Sequence, residues 1–282
     1  METKELDMRK FIDSIIEDVK NSGGSAKRAF KDIKPPFPFF LLVPCSHQDA
    51  GKIPFKISPA SPYIVFKTIN NQNKASNSYT NPDEVRPFDA PAGYSSYYDF
   101  IDKNQNSNRS DLVETYRLYN GYNADGTPSK RRGYIDCYKR HKDDMFMLSS
   151  LWGIMGAKKK IPFYDVELKI NKRSYGRDSH YHYIDNSGKD LDPAWLSAAA
   201  KQFNDLETAA QKDPEKPIIF IGIGKYIERF LELGKNIKNK VYVIYNKNYL
   251  LEPYINIPAN WIPINANLSQ HSSWHYEFIK II

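Results

Sequence analysis

Cysteine is scarce in this chain, and internal repeats are absent. The 282 residues include only Cys45 and Cys137, which lie far apart in the sequence and form no metal-ligand spacing. This rarity excludes a disulfide scaffold and argues against a zinc site. We therefore expect two reduced thiols and no bound metal.

Long apolar runs are also missing. No stretch approaches the roughly 18 to 20 uninterrupted apolar residues of a membrane span. The residues from Met1 to Asp7 are polar and acidic, unlike a signal peptide. With 41% hydrophobic residues, the chain can fill the core of one large domain. We expect a cytosolic protein without a membrane partner, folded as a single α/β domain over residues 1–282.

Excess charge is small, at 40 Lys and Arg against 33 Asp and Glu, but the basic residues cluster among tyrosines. This mixture suits DNA, because cations follow phosphates and tyrosine rings stack on unpaired bases at roughly 1–3 kcal/mol each. The residues predicted to contact the DNA backbone are Lys130, Arg131, Arg132, Lys158, Lys159, Lys160 and Lys225. The alternative is a basic surface that contacts only solvent.

Hydrophobic periodicity predicts alternating strands and helices. Strands are expected at 39–43, 145–150, 217–222 and 241–245, and helices at 5–22, 193–211 and 224–234. Asp192 is a candidate cap for the helix at 193–211. This order predicts a mixed, mostly parallel central sheet flanked by helices. Residues 69–140 read as an irregular insertion that shapes substrate access. Its first part, 69–110, is rich in Asn, Ser, Pro and Tyr, and a short helical pattern follows at Leu112, Tyr116 and Tyr119.

Polar residues follow three of the apolar runs. The first run ends in Cys45, Ser46, His47, Gln48 and Asp49; the others end in Gly222-Ile223-Gly224 and in the polar segment 265–271. Parallel strands deliver functional groups beyond their carboxyl ends. We therefore expect these three strand ends to converge on one active-site crevice.

Two blocks resemble the YaaA-like peroxide-stress proteins. The segment from Met147 to Met155, followed by Ile161 to Leu168, is similar to their "L-S-x-x-Y-G" and "I-x-x-Y-(D/R)" block. The segment from Leu41 to Ser46 resembles their first-strand "V-x-C-S", and Lys52 is the nearest match to the lysine that usually follows. The resemblance implies a DNA-binding stress protein.

The same relatives share an architecture that resembles the uracil-DNA glycosylases. Gln48-Asp49 follows the first strand as the "G-Q-D-P-Y" landmark does. The segment 218–226 stands where the middle landmark is expected, and the segment 268–273, which contains His271, follows the last strand as "H-P-S-P" does. The proline and tyrosine after Asp49 and the proline after His271 are missing. The resemblance implies base excision and a glycosylase-like sheet in which Asp49 and His271 lie beyond the carboxyl ends of neighbouring strands.

Asp49 and His271 are the catalytic candidates. Breaking an N-glycosidic bond creates positive charge on the sugar and negative charge on the base, so a carboxylate near the sugar and a donor near the base are needed. Asp49 would orient the attacking water, and His271 would donate to the base or a phosphate. Substrate-binding candidates are Cys45, Ser46, His47, Gln48, Ser149, Trp152, Gly153, Tyr164, Asp165, Asn267, Ser269 and Ser272.

Each of these residues has a structural alternative. Asp49 can be a turn residue before Ala50-Gly51, and His271 can pack the C-terminal segment. Trp152-Gly153 can anchor the core at a tight turn. The pair Gly222-x-Gly224 lacks the third glycine of a dinucleotide site, so we expect no cofactor.

The sequence favours a DNA glycosylase acting on a modified base. The polar insertion suits a base bulkier than uracil, such as those of phage genomes, which by analogy indicates anti-phage defence. The alternatives are a non-catalytic YaaA-like DNA-binding protein and a hydrolase that processes nucleosides or nucleotides.

Overall fold

The structure is a computed structural model. It describes residues 2–22, 34–45, 93–95, 97–109, 112–121, 127–130, 132–149, 152–162, 167–170, 181–184, 203–223, 225–246, 257–268 and 274–282. The elements in chain order are α1 (Glu2–Ser22), β1 (Phe40–Pro44), α2 (Tyr97–Lys103), β2 (Leu112–Glu114), α3 (Thr115–Asn120), α4 (Tyr134–His141), β3 (Met145–Ser149), β4 (Gly153–Gly156), β5 (Lys160–Pro162), β6 (Glu167–Ile170), β7 (Tyr181–Ile184), β8 (Phe203–Asn204), α5 (Asp205–Lys212), β9 (Ile218–Ile221), α6 (Lys225–Leu233), β10 (Val241–Tyr245), β11 (Trp261–Asn265) and α7 (Trp274–Ile281).

In the described part of the chain, seven strands form the central sheet, in the order β11-β10-β9-β1-β3-β4-β8. The first five of these are parallel to one another, β4 runs antiparallel to β3, and β8 runs parallel to β4. Two further pairs, β2 with β5 and β6 with β7, form separate small sheets. The prediction of a mostly parallel sheet with helices is therefore confirmed.

The strands in the middle of the sheet are buried along their whole length. All five residues of β1 and of β3, and all four of β9, are buried. Runs without polar alternation are typical of parallel strands covered on both faces. This is why their positions could be read from the sequence as continuous apolar segments.

Helix α1 packs by a stripe of apolar residues. Met8, Ile12, Ile15 and Val19 recur at helical spacing and are buried. The helix contacts α7 and ends at Ser22, as its sequence predicts. No helix in the described ranges has the length and apolarity needed to cross a membrane.

Two sequence predictions need correction. Phe203 and Asn204 belong to strand β8, so the helix predicted at 193–211 starts only at Asp205 in the described residues. Asn204 caps it, because its side chain accepts a hydrogen bond from the Glu207 amide at 3.2 Å. Asp192 and the first half of the predicted helix lie outside the described residues.

The segment expected to be irregular also contains regular structure. Within 69–140, the described residues form α2, β2, α3 and most of α4, while 69–92 lies outside the described ranges. Phe100, Tyr119 and Tyr134 are buried at 1% exposure or less, so this part of the segment supplies core residues. Helix α3 contains Tyr116 and Tyr119 of the helical pattern predicted from the sequence, whereas α2 and β2 were not predicted.

Candidate functional site

The direction in which the chain adds successive parallel strands to the sheet changes between β1 and β9. If the five parallel strands of the described residues are numbered by their order in the sequence, they lie side by side in the order 2-1-3-4-5. The strand after β1 in this numbering, β3, therefore lies on one side of β1, and β9, β10 and β11 lie on the other side. Open α/β sheets bind ligands beyond the carboxyl ends of their strands at such a switch point. We call this end of the sheet the carboxyl edge.

Cys45 and Tyr226 bridge the switch point. Cys45 follows β1 and extends its ladder, since its amide donates to the Leu148 carbonyl at 2.8 Å. Tyr226 lies in the first turn of α6, which follows β9. The Cys45 Sγ and the Tyr226 Oη are 2.8 Å apart, and both side chains are buried. A hydrogen bond therefore joins the two strand ends between which a ligand is expected.

Further tyrosines surround this pair. The Tyr134 hydroxyl donates to the Pro44 carbonyl at 2.7 Å, so α4 is fixed to the end of β1. Burial raises the pKa of Tyr226 well above its ordinary value, with smaller contributions from Cys45, Tyr119 and Tyr134. The Tyr226 phenol therefore stays neutral at physiological pH. We call Cys45, Tyr119, Tyr134 and Tyr226 the tyrosine cluster.

Gly222 allows α6 to approach this edge closely. A Cβ at this position would lie 2.7 Å from the Ile227 Cγ1 and 3.4 Å from the Ile244 carbonyl oxygen. A glycine at this position is therefore explained by the packing of α6 against the ends of β9 and β10.

The first turn of α7 forms another wall of the same edge. The Tyr276 ring packs edge-on against Tyr134 at 6.3 Å, and the Arg132 guanidinium lies 5.8 Å from the Tyr276 ring centre. His275 is only 6% exposed, and no hydrogen bond to its Nδ1 exists within the described structure. Burial, and then the nearby Arg132, lower the pKa of His275 to about 4. The imidazole is therefore neutral at pH 7.

The β3–β4 connection reaches the edge beside Cys45. The Ser149 Oγ accepts a hydrogen bond from the Trp152 amide at 3.0 Å, and Gly153 has a φ of 89°, which favours glycine. Trp152 is 2% exposed and packs edge-on against Tyr98 at 5.6 Å. This burial favours the core-anchor alternative for Trp152 over stacking on a base.

Asparagines stand at the ends of β10 and β11. The buried Asn246 side chain donates to the Leu268 carbonyl at 2.9 Å and accepts from the Leu268 amide at 3.0 Å. Asn265 and Asn267 are exposed, and Asn267 has a φ of 49°. Asn246 thus fixes the chain that leads toward His271, and Asn267 stays a predicted substrate contact.

Both catalytic candidates lie outside the described residues. The same is true of Ser46, His47, Gln48, Tyr164, Asp165, Ser269, Ser272 and Arg131. The strands before Asp49 and His271 are parallel members of one sheet, but the expectation that these strands are neighbours is wrong. Strands β9 and β10 lie between β1 and β11, which places their ends about 14 Å apart. Five or six further residues on each side can span this distance.

The predicted phosphate-binding lysines differ in their surroundings. Lys159 is 14% exposed, its Nζ lies 3.2 Å from Asp205 and 3.4 Å from Asp102, and it covers the Phe203 ring at 3.7 Å. These contacts indicate a structural role. Lys158 is 63% exposed and pairs with Asp143 at 3.1 Å.

Lys130, Lys160 and Arg132 are the further predicted cations whose side chains the structure describes. The Lys160 ammonium donates to the Ser107 carbonyl at 2.9 Å, Lys130 is exposed, and Lys225 begins α6. The Arg132 Nη1 donates to the Tyr119 carbonyl at 3.0 Å, which places Arg132 at the tyrosine cluster. Their contact with DNA stays a prediction.

A cavity of about 390 Å³ lies at the opposite end of the sheet. It is lined by Tyr242 of β10, by residues that precede β1, β9 and β10, and by the start of α1; these include Lys4, Glu5, Phe37, Lys216 and Lys238. Two of its lysines are paired, Lys216 with Asp144 at 2.6 Å and Lys240 with Glu5. Because the amino ends of parallel strands seldom carry function, we assign no activity to this cavity.

Sequence reasoning missed Tyr226, Tyr134 and His275 as site residues. Tyr226 could have been found from its place in the first turn after the switch strand, whereas only the fold brings Tyr134 to Pro44. Among the described residues, no group of three or more His, Cys, Asp or Glu side chains could hold a metal ion. Comparisons with protein-family models, curated proteins and solved structures found no match to this chain.

Proposed function

We propose that this protein is a DNA glycosylase, which hydrolyses the N-glycosidic bond of a modified base and leaves an abasic site. The observation that supports it best is the topology. The segments that carry Asp49 and His271 both leave the carboxyl edge of one parallel sheet, on either side of the switch point. This is where α/β enzymes bind their ligands.

The reaction needs few groups. A water oxygen bonds to the sugar C1′ while the bond from C1′ to the base nitrogen breaks, and the base leaves with the electron pair. In this scheme, Asp49 orients the water, stabilises the positive charge that develops on the sugar, and accepts the proton that the water loses as its oxygen bonds to C1′. His271 stabilises the departing base by donating a proton or a hydrogen bond to it.

The tyrosine cluster would form the floor of the site. Its phenols are buried, so they provide an environment with a low dielectric constant, in which a nearby carboxylate acts more strongly than in water. The fixed position of Cys45 against Tyr226 would hold the start of the 46–49 segment in place. We infer that this rigidity positions Asp49.

Abasic-site formation tests the proposal. Duplexes and single strands that carry unmodified or modified bases are incubated with the protein and then cleaved by alkali at abasic sites. We expect cleavage of at least one modified DNA, and a loss of about 10²–10⁴ in rate for Asp49→Asn with DNA affinity retained. DNA binding without cleavage of any substrate would instead favour the YaaA-like binding protein. Cleavage of free nucleosides alone would favour the nucleoside hydrolase.

A further inference from the structure

Two adjacent side chains at the start of α7 carry buried nitrogen atoms without a partner. Trp274 is 1% exposed and His275 is 6% exposed. Within the described residues, no acceptor pairs with the Trp274 Nε1 and no group pairs with the His275 Nδ1. A buried polar atom left unpaired has lost its hydrogen bonds to water without replacement, so such atoms call for an explanation. A bound ligand that accepts hydrogen bonds from these nitrogen atoms would explain them.

The surroundings of these atoms are electropositive. The Trp274 indole can only donate, and the first amides of α7 have no partners within the helix. Arg132 is close enough to His275 to lower the pKa of the imidazole, after burial as the main cause. The only acid on the helix is Glu277: its Oε1 is paired with Lys280 at 2.9 Å, and its Oε2 is buried without a partner in the described residues. An anion at the first amides would therefore meet donors and the Arg132 cation, while Lys280 balances the charge of Glu277.

The location connects these groups to the carboxyl edge. Tyr276, next to His275, packs on Tyr134, and the Tyr134 hydroxyl binds the last residue of β1. The segment that contains His271 ends where α7 begins. A group bound at the first turn of α7 would thus lie beside the proposed catalytic residues.

We propose that Arg132, His275 and the first turn of α7 form a phosphate-binding site. It holds a DNA backbone phosphate next to the nucleotide whose base is excised, and in this respect it rests on the proposed function. Phosphate suits the site because it accepts several hydrogen bonds at once and is favoured at helix N-termini. The imidazole is neutral at pH 7 and donates through Nδ1.

His275→Phe separates this role from core packing. If the imidazole only fills space, phenylalanine removes an unpaired polar atom and leaves function unchanged. The matched control is His141→Phe, because the His141 Nε2 is satisfied by the Ile282 main-chain oxygen at 2.7 Å. The control is expected to lose stability without losing phosphate binding.

Inorganic phosphate is the first probe. Compared with chloride at equal ionic strength, phosphate at several times its dissociation constant is expected to raise the Tm of the wild type and of His141→Phe by about 2–4 °C. We expect phosphate to leave the Tm of His275→Phe unchanged. Equal shifts in wild type and His275→Phe would overturn the inference, whatever the protein does to DNA.

DNA is the second probe and distinguishes the two proposals. We expect His275→Phe to weaken DNA affinity about tenfold, and Arg132→Leu to reduce the salt dependence by about one phosphate contact. A wild type that binds phosphate through His275 but makes no abasic sites would refute the glycosylase and leave an anion site. If the wild type forms abasic sites while His275→Phe binds phosphate and DNA as tightly as the wild type, the phosphate site is refuted and the glycosylase is supported.

Discussion

Replacing Gly222 with alanine tests how closely α6 must approach the sheet. The added Cβ would lie 2.7 Å from the Ile227 Cγ1, and real Cβ atoms essentially never approach a heavy atom that closely. Ile227 is only 2% exposed, so it cannot turn away into solvent. The helix must therefore shift, and with it Tyr226 moves relative to Cys45.

Overpacking of this kind costs about 1–3 kcal/mol of unfolding free energy. The assay is chemical denaturation of Gly222→Ala beside a matched control, Gly156→Ala. In the control, the new Cβ would meet nothing nearer than the Asp205 Oδ2 at 3.7 Å, an ordinary contact. We expect a lower midpoint for Gly222→Ala alone. Equal stability of Gly222→Ala and the wild type would refute the proposed close approach at the switch point.

Three further results are expected. Tyr226→Phe, which removes the hydrogen bond to Cys45, should lower the free energy of unfolding by about 0.5–1.5 kcal/mol in urea denaturation. Because burial lowers the pKa of His275 from its usual 6.5 to about 4, its contribution to stability is complete above pH 6.5. As the pH falls from 6.5 to 4, the free energy of unfolding should decrease by at most about 3 kcal/mol because of His275. An equally steep pH dependence of unfolding in His275→Phe would contradict this. Lys159→Ala should destabilise the fold by about 1–3 kcal/mol, whereas Lys158→Ala should change stability by less than 0.5 kcal/mol, both measured by thermal unfolding.

The core of the fold could be predicted because its strands are uniformly apolar. β1, β3, β9 and β10 were each located within a residue or two, since a buried parallel strand needs no polar alternation. Short elements could not be found in this way. Phe203 and Asn204 pair with the Gly153 strand through tertiary contacts, and a two-residue strand has no periodicity of its own.

The sequence predicted the location of the candidate site better than it predicted which residues form it. Cys45 was expected at a strand end because polar residues follow an apolar run. Its partner Tyr226 comes from 181 residues further along the chain, a pairing that only the sheet order reveals. The expected adjacency of the strands before Asp49 and His271 was wrong, because chain order does not fix strand order.

The most direct test of a single active site at the carboxyl edge is a double-mutant cycle on abasic-site formation. Rates are measured for the wild type, Asp49→Asn, His271→Ala and the double variant on a modified DNA that the wild type cleaves. If both residues act on one transition state, the double variant should lose much less than the product of the two single losses. Losses that multiply, or single variants as fast as the wild type, would contradict a shared site at the ends of β1 and β11.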